Sequence, residues 1–328
     1  MVKHTTATNI PAELIPLIEV TQLSRQYGNL RAVDDIQFTL NRGEILGFLG
    51  PNGAGKTTTM QMISGNLAPS SGQVLINGVD LFDHPKQAKA ELGYLPENPP
   101  LHKDLTVDEY LKFVAKINRV PGDQISTSMA HTKQRCGLND VGGRLIQNLS
   151  KGYQQRVGIA QAIIHTPAVV ILDEPTVGLD PIQIRDIRQL IREIGRDYGV
   201  LLSTHILPEV QSTCTHVQII NQGKIILTET IGGLQHRMNA SSYCLSTTQT
   251  INIEKLRSIP GVIDVNCLEA NRVRIHCNAE KPPVDAIARI VLDEQWGLQE
   301  LAHERLSLEE IFVQLTHADA APDLENTL

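Results

Sequence analysis

The most specific chemistry in the chain lies in the stretch GEILGFLGPNGAGKTTTMQMISG. Gly50-Pro51-Asn52-Gly53-Ala54-Gly55-Lys56-Thr57 fits G-x-x-x-x-G-K-[ST], a loop that cradles the phosphates of a nucleoside triphosphate. Its glycines let successive amide N–H groups turn inward around phosphate oxygens. Lys56 reaches the β- and γ-phosphates, the Thr57 hydroxyl holds Mg²⁺, and Thr58 completes the phosphate-facing stretch. A glycine-rich turn with a solvated lysine is the plainer reading; the apolar strand before the octet and the helix after it speak against it.

Two further apolar runs end in reactive side chains. Val169 to Leu172 runs into Asp173 and Glu174, and Gly199 to Thr204 runs into His205. In an all-parallel sheet, ligands gather at the carboxyl ends of the strands. Asp173 is placed there to hold Mg²⁺ through water, and Glu174 to polarise an attacking water as general base. His205 at the same edge would contact the γ-phosphate. A fourth feature, QNLSKGYQQR, leads into VGIAQAII. Ser150 can cap that helix, and a capped N-terminus beside lysine and glycine is a ready anion site. These residues leave open which anion it meets and on which chain.

The elements that must position these groups follow from the pattern. Ile45 to Leu49, LGYLP, and the two runs above read as buried strands, giving an α/β fold in which a phosphate-loop NTPase sheet is expected with a helical subdomain and an antiparallel β subdomain. Leu101 to Ile164 reads mostly helical; TVDEYLKFVAKI puts Val107, Tyr110, Leu111 and Val114 on one face, with Thr106 as cap. After Gly233 the triphosphate motifs stop. SSYCLST, INIEKLRSI, VIDVNCLE, RVRIHCNA, PPVDAIARIVLDEQ and GLQELAHE read β-α-β-β-α-β, a ferredoxin-like α+β unit. A last helix starts with the capping-box spacing of Ser307 and Glu310 and carries a stripe of Leu308, Ile311, Phe312 and Leu315. HADAAPDLENTL reads as a frayed polar tail. The small unit shows no clustered ligand set, so packing or support of a dimer is expected of it rather than sensing.

Bulk properties set the frame. A chain of 328 residues suggests two domains. No run approaches the roughly 20 apolar residues of a membrane span, and the N-terminus lacks a secretory apolar core. Five cysteines without a CxxC suggest reduced thiols in a cytosolic protein. A net charge of −7 speaks against a broad nucleic-acid-binding face.

In motif order, residues 17–233 resemble the ATP-hydrolysing subunit of ABC transporters. The resemblance rests on Tyr27, the phosphate loop, the loop at Glu97, the signature Leu149-Ser150-Lys151-Gly152-Tyr153, the acids Asp173 and Glu174, the turn Gly178-Leu179-Asp180, and His205. It implies ATP and Mg²⁺ as cofactors, Tyr27 stacked on the purine, and catalytic roles for Glu174, His205 and Glu97. Glu97 would join Thr57 and Asp173 around the metal. It also implies two subunits packed head to tail, so that Ser150, Lys151 and Gly152 of one close the ATP site of the other; the partner is a second copy or a related ATPase subunit. The face beside Glu97 is where such subunits receive a helix from a polytopic permease, which places the chain on the inner face of the cell membrane, without nucleic acid. The ending SLEEIFVQLT is similar to that of gliding-motility and multidrug export ATPases with a small C-terminal domain.

Two positions depart from the pattern: LSKGY stands for the usual LSGGQ, and Glu97 for a usual glutamine. Lys151 adds charge where glycine adds freedom, and an ionised glutamate only accepts hydrogen bonds. The expected organisation is an extension at 1–16, the ATPase at 17–233 with its helical subdomain at 98–165, the small domain at 234–317 and a tail at 318–328. Rival readings fit less well. DNA-repair ATPases insert coiled coils between loop and signature, translation factors need two modules, and a small-molecule kinase has no use for the signature.

Overall fold

The computed structural model describes residues 16–238, 242–278 and 282–304. The N-terminal extension, the helix around Leu308 to Leu315 and the polar tail lie outside the described residues. The chain divides into two compact units, one ending at Glu229 and one beginning at Thr230.

The first unit opens with β1 (Ile18–Tyr27) and β2 (Leu30–Leu40), an antiparallel pair. β3 (Ile45–Leu49) leads through the phosphate loop into α1 (Lys56–Ile63). β4 (Ser71–Ile76) and β5 (Val79–Asp80) extend the antiparallel sheet, whose order is β2-β1-β4-β5. After α2 (Pro85–Ala90) and β6 (Leu92–Leu95) come three helices, α3 (Val107–Ile117), α4 (Ile125–Cys136) and α5 (Lys151–Ile163). Then follow β7 (Val169–Asp173), α6 (Pro181–Ile194), β8 (Gly199–Thr204), α7 (Leu207–Thr213), β9 (His216–Asn221) and β10 (Lys224–Thr230). The central sheet runs β10-β9-β3-β8-β7-β6, and its strands from β9 to β6 are parallel.

Every residue of β3, β7 and β8 is buried, which explains their unbroken apolar sequences: helices or another sheet cover both faces. Alternate side chains go to opposite sides. Val170, Leu172 and Leu202 join the helical core with Val107, Tyr110, Leu111 and Val157. Val169, Ile171 and Leu201 join the core of the antiparallel sheet with Val20, Ile36 and Phe38. The cap expected at Thr106 forms in full: its hydroxyl accepts from the Glu109 amide, and the Glu109 carboxylate accepts from the Thr106 amide.

The second unit contains α8 (Ile231–Met238), β11 (Ser242–Thr247), α9 (Ile253–Arg257), β12 (Val262–Glu269), β13 (Arg272–Cys277), α10 (Val284–Asp293) and β14 (Leu298–Glu304). Its sheet is antiparallel in the order β12-β13-β11-β14, the split β-α-β arrangement. Tyr243, Leu245, Val273 and Ile275 pack with Leu256, Ile287, Val291 and Trp296 into its own core. All five cysteines are free thiols. Among the described residues no helix is long and apolar enough to cross a membrane.

Candidate active site

The ends of β3, β7 and β8 deliver the reactive groups to one edge because the three strands are parallel neighbours. Gly53 and Gly55 hold φ of +82° and +107°, a region costly for residues with a Cβ. A Cβ on Gly50 would lie 2.4 Å from the Ile220 carbonyl oxygen, and one on Gly55 2.6 Å from that of Ala32. Gly50 and Gly55 are therefore required by their neighbours, and Gly53 by its backbone conformation alone.

A cleft of about 360 Å³ opens over this edge. Asn52, Gly53, Gly55, Lys56, Thr57, Thr58, Glu97, Glu174 and His205 line it, together with Ala32 and Val177, which the sequence did not single out. Lys56 is 6% exposed. Its ammonium donates to the carbonyls of Gly50 at 2.8 Å and Pro51 at 3.2 Å, and lies 3.5 Å from Glu174 Oε1. Ala54 is buried beneath the loop.

Glu174 adopts φ of +48°, a left-handed conformation uncommon for a residue with a side chain. Such strain persists where the surroundings impose it, and functional sites collect it. Here the Glu174 amide is held by the Ser203 carbonyl at 3.0 Å, which pins the turn to the end of β8. His205 Nδ1 stands 3.1 and 3.0 Å from the two Glu174 oxygens. An ionised carboxylate only accepts, so Nδ1 carries the proton in that pair.

Asp173 lies below the cleft, 1% exposed, and its Oδ1 has no hydrogen-bond partner. Burial raises its pKa, and the charges of Glu174 and Glu97 raise it further, against the opposing effects of the Ser203 hydroxyl and of Lys56. The Tyr94 phenol nearby is pushed up to about 12 by burial and by Asp173. A buried carboxylate oxygen without a donor, beside further acids, suits a hard cation with oxygen ligands. Among the described residues no three of His, Cys, Asp and Glu cluster as a self-contained metal site. A cation held here would thus draw most of its ligands from phosphate and water.

The signature lies elsewhere. Ser150 caps α5, accepting from the Tyr153 amide at 3.4 Å. Ser150 and Gly152 line a second cleft of about 220 Å³ with Gly137, Tyr153, Arg156, Gln183, Asp186 and Ile187, and it shares no lining residue with the first. Gly152 is tightly placed: a Cβ there would come 2.9 Å from Gln183 Cδ. Arg156 is already engaged, donating to the Cys136 carbonyl at 3.1 Å and to Asp186 at 3.2 Å. The Lys151 ammonium reaches the turn of its own chain, where a Cβ on Gly178 would be 2.3 Å from it. Tyr27 does not line the phosphate cleft; its exposed ring lies under the Arg25 guanidinium at 4.7 Å.

Comparison with known proteins bears on this arrangement. A family model described as ABC transporter matches residues 33–177. The bacitracin transport ATP-binding protein BcrA of Bacillus licheniformis is 39% identical over 212 residues, 64% of this chain and 68% of the relative. The uncharacterized ABC transporter ATP-binding protein YhcH of Bacillus subtilis is 31% identical over 303 residues, 92% of this chain and 96% of its own length. A solved structure of an ATP-binding subunit of an ABC transporter superposes with a TM-score of 0.61 at 32% identity, covering 67% of this chain and 92% of that one.

Proposed function

The chain belongs to the ATP-binding subunits of ABC transporters and is an ATPase, and from that premise we propose that it drives a separately encoded export permease by pairing two subunits around ATP. One observation carries the pairing: the phosphate loop and the signature line two clefts without a common residue. A single chain thus holds the two halves of a site apart. Head-to-tail assembly brings the Ser150 hydroxyl and the amides at the start of α5 to the γ-phosphate held by the other chain, where a helix N-terminus favours an anion.

Within the phosphate cleft each side chain then has a task. The amides of Gly53 to Thr57 and the Lys56 ammonium bind the phosphate oxygens. Tyr27 stacks on the purine, with Arg25 behind its ring. Asp173, Thr57 and Glu97 are the residues that would hold Mg²⁺, which when bound neutralises charge on the β- and γ-phosphates. Glu174 takes the proton of the attacking water, and His205, fixed to it through Nδ1, presents its other ring nitrogen to the γ-phosphate. The Lys151 ammonium over Gly178 ties the signature to the turn that follows Glu174.

Export is the direction we favour, from the C-terminal SLEEIFVQLT and from the relative named for bacitracin transport. The permease would dock on the helical subdomain beside Glu97; in that subdomain α3 exposes Phe113 and Ile117. This puts the subunit at the cytoplasmic face of the membrane. The pairing is tested by placing cysteines at Ser150 and Asn52 in a chain whose exposed Cys267 is serine. Crosslinks between chains that need ATP support the shared site; crosslinks confined to one chain sink it. Pull-down from detergent-solubilised membranes tests the partner, and recovery of ribosomes or DNA in place of a polytopic protein overturns the transporter role.

A further inference from the structure

Glu209 lies on the first turn of α7 and is 1% exposed. A buried carboxylate must be repaid by donors, and this one has three. Oε1 accepts from the Thr176 hydroxyl and from Arg188 Nη2 at 3.3 Å; Oε2 accepts from the Thr204 hydroxyl at 2.7 Å. Each donor comes from a different segment. Thr176 is two residues beyond Glu174, in a turn closed by the Val177 amide on the Glu174 carbonyl at 3.2 Å. Thr204 immediately precedes His205, and its oxygen also accepts from the Ile206 amide at 3.0 Å. It thereby grips His205 from both sides. Arg188 belongs to α6, the helix capped by Asp180.

We infer that Glu209 is a positioning residue for hydrolysis: one carboxylate sets the Glu174 turn against the His205 loop and so fixes the distance between the two. Among the described residues, the hydrogen bonds of the Glu209 carboxylate go to Thr176, Arg188 and Thr204 and not to the phosphate loop. Phosphate binding and chemistry are therefore separable through this residue. An ordinary core position at the same place would be filled as well by an apolar side chain. Two hydroxyls turned inward from the two loops that carry the reactive pair, with Arg188 of α6 beside them, have a use if those loops must keep their register.

The inference rests on the roles proposed for Glu174 and His205, so its test includes a readout that does not need hydrolysis. Glu209→Gln keeps the volume and one acceptor oxygen, but replaces the other oxygen with an amide nitrogen that cannot accept from a threonine hydroxyl and drops the charge facing Arg188; Glu209→Ala drops every contact. The alanine variant is expected to lose about 10²-fold in kcat, the scale of an ångström-level misplacement, with KM for ATP nearly unchanged, and the glutamine variant to fall between. In protein labelled with ¹⁵N-histidine, at fixed pH, the ring signals of His205 are expected to shift in Glu209→Gln while those of His84 stay put. In a His205→Ala background, Glu209→Gln should cost almost nothing more. If the His205 signals do not move in the folded glutamine variant, or if the two losses multiply in full, the inference is wrong. If the His205 signals move and turnover stays at the wild-type level, positioning stands and the catalytic role given to His205 falls.

Discussion

The two clefts of the first unit are built on opposite plans. The phosphate cleft is dense with charge: Lys56, Glu97, Glu174 and His205 face it, Asp173 lies beneath, and Glu174 is held in a strained conformation. The signature cleft has a helix cap, two glycines and an arginine already paired with the acid beside it. Chemistry needs charges whose positions are set before substrate arrives. The recognition of a partner's phosphate that is proposed for the second would need only amides and a hydroxyl presented on a helix end. The first plan is costly in stability, and the second costs little, so an inserted helical subdomain can carry it.

The strongest way to break this contrast is Glu174→Gln. Loss of the base should lower kcat by about 10²- to 10⁴-fold while ATP still binds, because Lys56, Thr57 and Asp173 remain. The variant should accumulate as an ATP-bound dimer on size-exclusion chromatography with Mg²⁺. Wild-type turnover would exclude Glu174 as the base and leave the two clefts chemically alike.

Next in size is the mixing of Lys56→Ala with Ser150→Arg, each inactive alone. If each site takes its cradle from one chain and its signature from the other, a mixed dimer gathers both lesions into one site. Free assortment makes roughly half the dimers mixed, so activity should recover to about a quarter of the wild-type rate. Continued inactivity of dimers shown by mass to be mixed would place both clefts in the service of one chain, or show that the two sites must fire together; the Ser150–Asn52 crosslink separates these.

Asp173→Asn sharpens the cost side of the comparison. The native pKa of Asp173 is raised above its unfolded value, so its ionised form destabilises the fold. The stability it withholds is greatest at neutral pH and returns as pH falls through its native pKa. The asparagine variant should therefore melt a few degrees higher than wild type in nucleotide-free buffer at neutral pH, with the gap narrowing in acid, and should lose Mg²⁺-dependent hydrolysis. An equal or lower melting temperature at neutral pH would mean the buried charge carries no penalty.

The smallest effect is expected from ending the chain at Met238. Both clefts lie in the unit that closes at Glu229, so ATP affinity should be unchanged in a filter-binding or fluorescence titration. A soluble, folded truncation that cannot bind ATP would assign part of the phosphate cleft to the second unit.

What could be read from the sequence was whatever is written in consecutive residues. The octet ending at Thr57, the acids closing β7 and the histidine after β8 each carry their meaning locally, as do the caps at Thr106 and Ser150. The alternation of the second unit was equally plain, and its strand order follows from it. What could not be read depends on chain segments meeting after long separations. Thr176 and Glu209 are 33 positions apart and form one hydrogen bond. Ala32 enters the phosphate cleft from β2, and Lys151 finds Gly178, with no local pattern to announce either. The placing of Tyr27 outside the cleft lining was also hidden, since Arg25 approaches its ring from the same strand by a side-chain choice that composition does not dictate.

The carbonyl oxygen of Ala32 has one more consequence. A Cβ on Gly55 would lie 2.6 Å from it and one on Gly223 2.9 Å, while the Asp34 amide donates to Gly223 and the Gly223 amide to the Ala54 carbonyl, each at 2.9 Å. The phosphate loop is thus wedged between a strand of the antiparallel sheet and the turn joining β9 to β10. In the language of recombination, these three pieces are linked alleles. A chimera that crosses between relatives near residue 42 would bring together a loop and a mould shaped for different partners, whereas a crossover at 229 and 230 would leave the mould whole. Shuffling of cassettes among genomes should respect that boundary and avoid the first.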